Sequence, residues 1–303
     1  MSANVIAWVK LGRFIFLTGG FVMYNLGVAV ALYQHIDINW ITYALGQMIV
    51  TSTQLMVHYS NDYFDYEVDA LNETYTPWSG GSRILPDNQL PRSVALITAL
   101  IFAVIALLGT LLLAITQKVG PLAVPLLVLS VILSWGYSSP PLRLHSRSLG
   151  EITASIIVAG FTPFLGYYLQ SGEINTTILL AIVPLMLMQF NMLLSVHLPD
   201  VEGDRLAGKQ TLVVRLGKSQ TGKLYRLLLG LAYASTPILL LAGLPGLPAL
   251  AIVIPLPLGL FLWWRTSGPL PSKEMSAIAF LSIALLMSTA GLEMVAFLLL
   301  SQR

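Results

Sequence analysis

Runs of roughly 20 apolar residues recur along the whole of this 303-residue chain. That is the length an α-helix needs to cross about 30 Å of hydrocarbon at 1.5 Å per residue. The pattern predicts an all-α, polytopic membrane protein. Nine spans can be drawn, at about 12–33, 38–60, 92–116, 119–137, 149–171, 177–198, 222–243, 246–264 and 275–299. Composition excludes the soluble alternative. Only 10% of the residues are charged and 56% are hydrophobic, whereas a soluble domain carries about 25% charged residues. The first apolar run follows Lys10 and Arg13, lacks a small-residue cleavage site and is long enough to span, so no cleavable signal is expected. There is no cysteine, and the net charge of +2 is too small to suggest nucleic acid as a partner.

Lysine and arginine set the expected orientation. Fourteen of them fall on the N-terminus and on the loops after the second, fourth, sixth and eighth spans; the opposite side holds only Lys118 and Arg303. This bias predicts a cell-membrane protein with its N-terminus inside and, from an odd number of spans, its C-terminus outside. The inner loops after spans two and six are the long ones. The chain is expected to form one transmembrane domain over 1–303, with cytoplasmic active-site loops at about 61–91 and 199–221.

Both long loops open on carboxylates. Asn61, Asp65 and Asp69 are spaced i, i+4, i+8, which on a helix stacks three oxygen side chains along one face, with Asp62 at its border. Asp200 and Asp204 repeat the i, i+4 spacing. Eight of the fourteen acidic residues lie within 62–73 and 200–204. Carboxylates this close repel unless cations hold them. All-oxygen sets suit Mg²⁺, which takes one or two carboxylates plus substrate phosphates. A solvated, acid-rich helix end would explain either cluster singly. The pair points to two Mg²⁺ ions gripping a diphosphate, with Asn61, Asp62, Asp65, Asp69, Asp200 and Asp204 as ligands and Asp65, Asp69, Asp200 and Asp204 as the catalytic set.

Basic residues on the same face complement such a ligand: Arg83 after the flexible Ser79-Gly80-Gly81-Ser82, Arg143 and Arg147 after Tyr137-Ser138-Ser139-Pro140-Pro141, and Arg205 and Lys209 after the second cluster. Positive-inside topology accounts for any one of them alone. Pro163 and Pro184 suit either kinks that open a cavity or ordinary packed kinks in their spans. Gln47, Gln54, Gln189 and Asn191 are polar groups inside spans, suited to helix–helix bonds or to lining that cavity. His58 and His197 each precede a cluster, as interfacial histidines or as proton acceptors. No zinc arrangement, nucleophile elbow, GxGxxG or Walker motif occurs.

The motifs N-x3-D-x3-D at Asn61, Asp65 and Asp69 and D-x3-D at Asp200 and Asp204, with nine apolar spans, resemble those of the UbiA superfamily of intramembrane aromatic prenyltransferases. The resemblance runs over essentially the whole chain. It implies a nine-helix bundle around a central cavity opening to the cytoplasmic side, and Mg²⁺-dependent transfer of a polyprenyl group from an allylic diphosphate to an aromatic acceptor. Asn61 to Asp65 and Asp204 to Gly217 look most like the branch prenylating 1,4-dihydroxy-2-naphthoate for menaquinone. One position departs from the pattern. Some members carry lysine four residues after the tyrosine matching Tyr137; here Pro141 stands there, which leaves Arg143 as the substitute cation. The resemblance further implies diphosphate contacts from Arg83, Arg143, Arg147, Arg205, Lys209 and Tyr137, and no obligate protein partner. Tyr63, Tyr66 and Tyr137 are aromatic candidates for facing an allylic cation.

Other classes make different demands. A cation transporter would place its acids in mid-span; these lie at helix ends. A CDP-alcohol phosphotransferase would carry a D-G-x2-A-R opening, which is missing. Within the favoured class the acceptor stays open among naphthoate, hydroxybenzoate, homogentisate, a chlorin and a lipid alcohol.

Overall fold

Small residues decide how the helices meet. In this computed structural model, which describes residues 3–268 and 272–302, α1 (Ala3–Leu11) and α2 (Leu17–Tyr33) are separated by a break at Gly12 and Arg13. Helix α3 (Trp40–Phe64) leads into the short α4 (Tyr66–Leu71). Then follow α5 (Arg92–Thr116), α6 (Ala123–Gly136), α7 (Gly150–Ala154), a π-helical turn (Ser155–Phe161), α8 (Thr162–Ser171) and α9 (Thr176–His197). The second half holds α10 (Val201–Leu206), α11 (Leu212–Leu241), α12 (Gly246–Val253), α13 (Leu256–Arg265) and α14 (Ser272–Leu300).

Helix α2 packs on α8 and α14, α9 packs on α11 and α14, and α3 packs on α5. At the α2–α8 crossing a side chain on Gly27 would strike the Pro163 carbonyl, and one on Gly166 would strike the Tyr24 carbonyl. Only glycine lets the two backbones come this close, which is how helices gain contact where lipid removes the hydrophobic drive. Helix α5 turns Ala95, Ala99, Ala106 and Gly109 inward and leaves Ile97, Leu100, Ile101, Val104, Leu108 and Leu111 exposed. Large apolar side chains outside and small ones inside suit a hydrocarbon solvent.

Seven helices are long and apolar enough to cross a membrane: Asn4–Tyr33, Arg92–Thr116, Gly150–Ser171, Thr176–His197, Leu212–Leu241, Gly246–Arg265 and Glu274–Leu300. Nine spans were expected; among the described residues these seven helical stretches pass the test of length and apolarity, and α3 and α6 do not. Helix α3 runs 25 residues, but Gln47, Thr51, Thr53, Gln54, His58 and Asn61 lower its apolarity. Helix α6 has 14 residues, about 21 Å of rise, short of about 30 Å of hydrocarbon. Arg303, placed above on the outer side, lies outside the described residues.

The expected cavity forms beside the π turn. Thr162 donates to the Ile157 carbonyl at 2.9 Å, and Ser155 donates to the Met186 carbonyl at 2.6 Å. These bonds satisfy backbone groups that the widened turn and Pro163 disturb. A cavity of about 140 Å³ lies here, lined by Gln54, His58 and Thr162. A larger one of about 360 Å³ continues between α2, α3, α9 and α14, with Gln54, His58, Gln189 and Met192 in its wall.

Candidate active site

The helix expected to carry Asn61, Asp65 and Asp69 is broken at its middle aspartate. Asp65 has φ −95° and ψ 6°, ending α3 and starting α4. Two backbone bonds cross the joint, Asp65 N–H to Asn61 O and Asp69 N–H to Asp65 O, both 2.8 Å. The i, i+4 spacing therefore survives. In the second motif Asp200 caps α10, and Asp204 N–H donates to Asp200 O at 2.8 Å.

The two motifs meet. Lys209 Nζ lies 3.3 Å from Asp65 Oδ2 and 3.7 Å from Asp204 Oδ1. Asn72 Nδ2 donates to Asp200 Oδ1 at 2.8 Å, and the Gly80 amide to Asp200 Oδ2 at 3.2 Å. Thr74 donates to the Pro199 carbonyl at 2.6 Å. The loop after α6 closes the third side, with Gln210 N–H on Ser146 O at 3.1 Å and Ser148 on Gln210 O at 2.7 Å.

The segment 79–83, expected to be flexible, is a clasp, buried at Ser79 and Gly80 and half-buried over 81–83. The Ser82 amide and hydroxyl both donate to Asp62 Oδ2. Arg83 donates to the Asp69 carbonyl and lies 4.4 Å over the Tyr75 ring. Gly81 has φ +75°, and a side chain there would strike the Asp69 carboxylate. Glycine is needed at that position on both counts.

His145, which carried no signal of its own in the sequence, holds Asp65 from the loop after α6. Its Nε2 lies 2.9 Å from Asp65 Oδ1 and its Nδ1 2.6 Å from the Tyr137 carbonyl, with the ring stacked on Tyr137. The ring thus bridges the Tyr137 carbonyl and the Asp65 carboxylate. Arg143 is exposed, and Arg147 bonds the Pro141 carbonyl at 2.9 Å. Arg205 pairs outward with Glu202 at 3.3 Å.

Other expected residues have structural partners. Asp62 is held by Arg13 at 2.6 Å and by Ser82, and lies apart from the Lys209 bridge. Asn61 accepts from Ser138. Tyr63 and Tyr66 face Arg92, 4.5 and 5.0 Å from its guanidinium carbon. His58 bonds the Gly12 carbonyl at 2.7 Å, and His197 bonds buried Glu151 at 2.9 Å. The rings nearest the large cavity's mouth are Trp78, Phe16 and Phe280, with Trp78 centred 6.2 Å from Phe16 and 5.3 Å from Phe280.

The carboxylates differ sharply in electrostatics. Burial pushes Asp65 toward its neutral form, but the His145 and Lys209 charges more than reverse this and hold its carboxyl well below the usual range. Burial together with Asp65 and Asp62 pushes Asp69 up to about 8. Among the described residues no hydrogen-bond donor reaches its carboxylate oxygens. Burial and the neighbouring Asp204 also raise Asp200. Lys209 loses proton affinity to burial and regains more from Asp65 and Asp204, ending above the ordinary lysine range.

These features test the fit of Mg²⁺. Among the described residues no three His, Cys, Asp or Glu groups converge tightly enough to cage an ion. An ion that takes one or two carboxylates and completes its shell with water and substrate phosphate needs no such cage. Asp69, buried beside like charges with no donor, is short of a cation. The donor set is all oxygen, so the residues fit.

Comparison with known proteins gives the family and the fold. The profile of the UbiA prenyltransferase family matches residues 21–284, and the chain belongs to that family. It is 32% identical over 186 residues to the digeranylgeranylglyceryl phosphate synthase of Methanothermobacter thermautotrophicus, covering 61% of this chain and 59% of that protein. It is 26% identical over 235 residues to the homogentisate phytyltransferase of Synechocystis sp., covering 75% and 70%, and 23% identical over 216 residues to the 1,4-dihydroxy-2-naphthoate octaprenyltransferase of Bacillus subtilis, covering 71% and 67%. The fold is also that of a solved UbiA homolog from Archaeoglobus fulgidus bound to DMAPP and Mg²⁺, with TM-score 0.65, 14% identity, and 94% and 98% of the two chains covered. An apo UbiA homolog from Aeropyrum pernix superposes with TM-score 0.69 at 16% identity, covering 91% and 97%.

Proposed function

We propose that this protein transfers a prenyl group from an allylic polyprenyl diphosphate to a small acceptor, in a Mg²⁺-dependent reaction at the inner membrane face. One observation carries the reading. The two aspartate motifs close around Lys209, and an apolar cavity of about 360 Å³ adjoins the acidic segment at Arg13. Arg13 and Trp78 line that cavity, and Arg13 is also the partner of Asp62 in the acidic segment. A charged head and an apolar tail thus find adjoining sites.

Asp65, Asp69, Asp200 and Asp204 would hold the ions, with Asn61 at the edge of the set. Bound Mg²⁺ supplies neutralisation of the departing diphosphate. Lys209 adds fixed positive charge where the leaving group gathers negative charge, which stabilises the transition state. His145 and Asn72 orient Asp65 and Asp200. The clasp 79–83 keeps bulk water from the reacting carbon, protecting an allylic cation from hydrolysis. Trp78, Phe16 and Phe280 present aromatic faces beside it. The cytoplasmic orientation of this face rests on the lysine and arginine bias, and the Mg²⁺ complex of the Archaeoglobus homolog supports the choice of ion.

For the acceptor, 1,4-dihydroxy-2-naphthoate is the reading favoured by the segments Asn61 to Asp65 and Asp204 to Gly217, and a naphthoate octaprenyltransferase is among the relatives. A glyceryl phosphate lipid is a second reading, favoured by the 32% identity to a digeranylgeranylglyceryl phosphate synthase. Purified protein given labelled geranylgeranyl diphosphate and each acceptor, with Mg²⁺ or EDTA, separates them. A Mg²⁺-dependent prenylated naphthol establishes reaction and acceptor together. Product only with the glyceryl phosphate acceptor keeps the reaction and changes the acceptor. No ionisation of the diphosphate with any acceptor, in folded protein, overturns the reading.

A further inference from the structure

A second, chemically distinct basin lies where α11 meets the end of α13. It encloses about 540 Å³ and is lined by Lys218, Ser219, Lys223, Arg226, Thr266, Ser267 and Gly268. Among the described residues three cations and no carboxylate line it. Among the described residues Lys218 and Lys223 make no ion pair. Simple topogenic lysines would be scattered over the surface; these converge on one hollow.

The basin is built by specific contacts. Helix α11 is kinked at Gly217, whose φ 71° and ψ 164° lie outside helical values. The kink gives the segment from Lys218 onward its own start. One turn later Gly222 stands where a side chain would come within 2.9 Å of the Thr266 carbonyl. That close approach lets Arg226 donate to the same carbonyl. Thr266 is buried, so the floor is rigid and Arg226 is fixed, while Lys223 on the rim is exposed.

Depth in the membrane follows from the neighbouring helix. Trp263 and Trp264 on α13 are exposed, and Arg265 lies 5.3 Å from the Trp264 ring. Exposed tryptophans beside arginine mark the headgroup layer. A basic hollow between helix ends at that depth matches the charge of a lipid phosphate.

We propose that this basin binds the phosphate group of an anionic membrane lipid, at a site separate from the aspartate motifs. The proposal stands independently of the prenyl-transfer reading. Full-length protein in mixed micelles, analysed by native mass spectrometry, tests it with phosphatidylglycerol against phosphatidylcholine. Wild type should retain phosphatidylglycerol preferentially, and Lys218→Gln/Lys223→Gln should weaken that preference by about tenfold, since each lysine near the surface contributes appreciably to anionic-lipid attraction. Lys218→Arg/Lys223→Arg should keep the preference, which guards against loss through misfolding. Millimolar inorganic phosphate that displaces the lipid, or binds in its absence, keeps the phosphate site and assigns it to a free anion. Equal retention of the two lipids by wild type, or an unchanged preference in the glutamine variant, overturns the proposal.

Discussion

Lys209 Nζ stands 3.3 Å from Asp65 Oδ2, joining residues 144 positions apart. Through the same ammonium, 3.7 Å from Asp204, the first acidic motif is tied to the second. A carboxylate pair that would repel is thereby stabilised before any ion arrives.

Removing one member of a buried charge pair leaves the other uncompensated. Lys209→Met should cost about 3 kcal/mol of stability, read as a lower unfolding temperature in detergent. Prenyl transfer should fall on the order of 10²-fold, as when one stabiliser of developing charge is removed. A variant that unfolds at the wild-type temperature would refute the bridging role.

Asp69 predicts an inverted pH dependence in EDTA. Its carboxyl is pushed up to about 8 in the fold, against about 3.9 in an unfolded chain. Between these values the fold keeps a proton that the unfolded chain has released. Stability from this group is therefore complete below about pH 4 and is lost as pH rises through about 8, at up to about 1.4 kcal/mol per unit. Asp69→Asn should flatten that slope in a thermal-unfolding series. Because an ion needs the carboxylate, Mg²⁺ affinity should rise with pH over the same window in the wild type alone.

Asn72 orients Asp200. Asn72→Ala should weaken Mg²⁺ affinity about 10- to 100-fold, the usual cost of losing a residue that positions a ligand. Titrating activity against free Mg²⁺ reads the shift in half-saturation. An unshifted midpoint would show that Asp200 needs no such support.

Gly81→Ala should destabilise the protein by about 1–3 kcal/mol, since it forces a side chain onto positive φ and against Asp69. Circular dichroism melts check the size of the effect, and retained helicity at low temperature would confine it to the clasp.

His145 and Arg143 make opposite predictions. Loss of the imidazole on Asp65 should lower transfer about 10- to 100-fold in His145→Ala. Arg143→Ala, whose side chain is exposed, should stay within a few-fold. Parallel rates under saturating Mg²⁺ decide between them.

The helical, membrane-embedded class was legible because apolar run length is a local property. So were the two motifs, because i, i+4 spacing holds whether or not the helix continues past Asp65. The span count was less secure: α3 is polar along a face that lines the cavity, and α6 is short. His145 on the loop after α6 was not legible. Arg143 and Arg147 are the evident charges, yet the backbone turns them outward and brings His145 in.

What the sequence by itself determined is the solvent this chain folds in, and the presence and spacing of two carboxylate groups that demand cations. Both follow from composition and short-range geometry. Only the tertiary structure decided that Lys209 spans the motifs, that Asn72 and Gly80 hold Asp200, and that segment 79–83 is a clasp. Those contacts join positions up to 144 residues apart. Their existence depends on which helices pack together, and packing is a property of the whole chain.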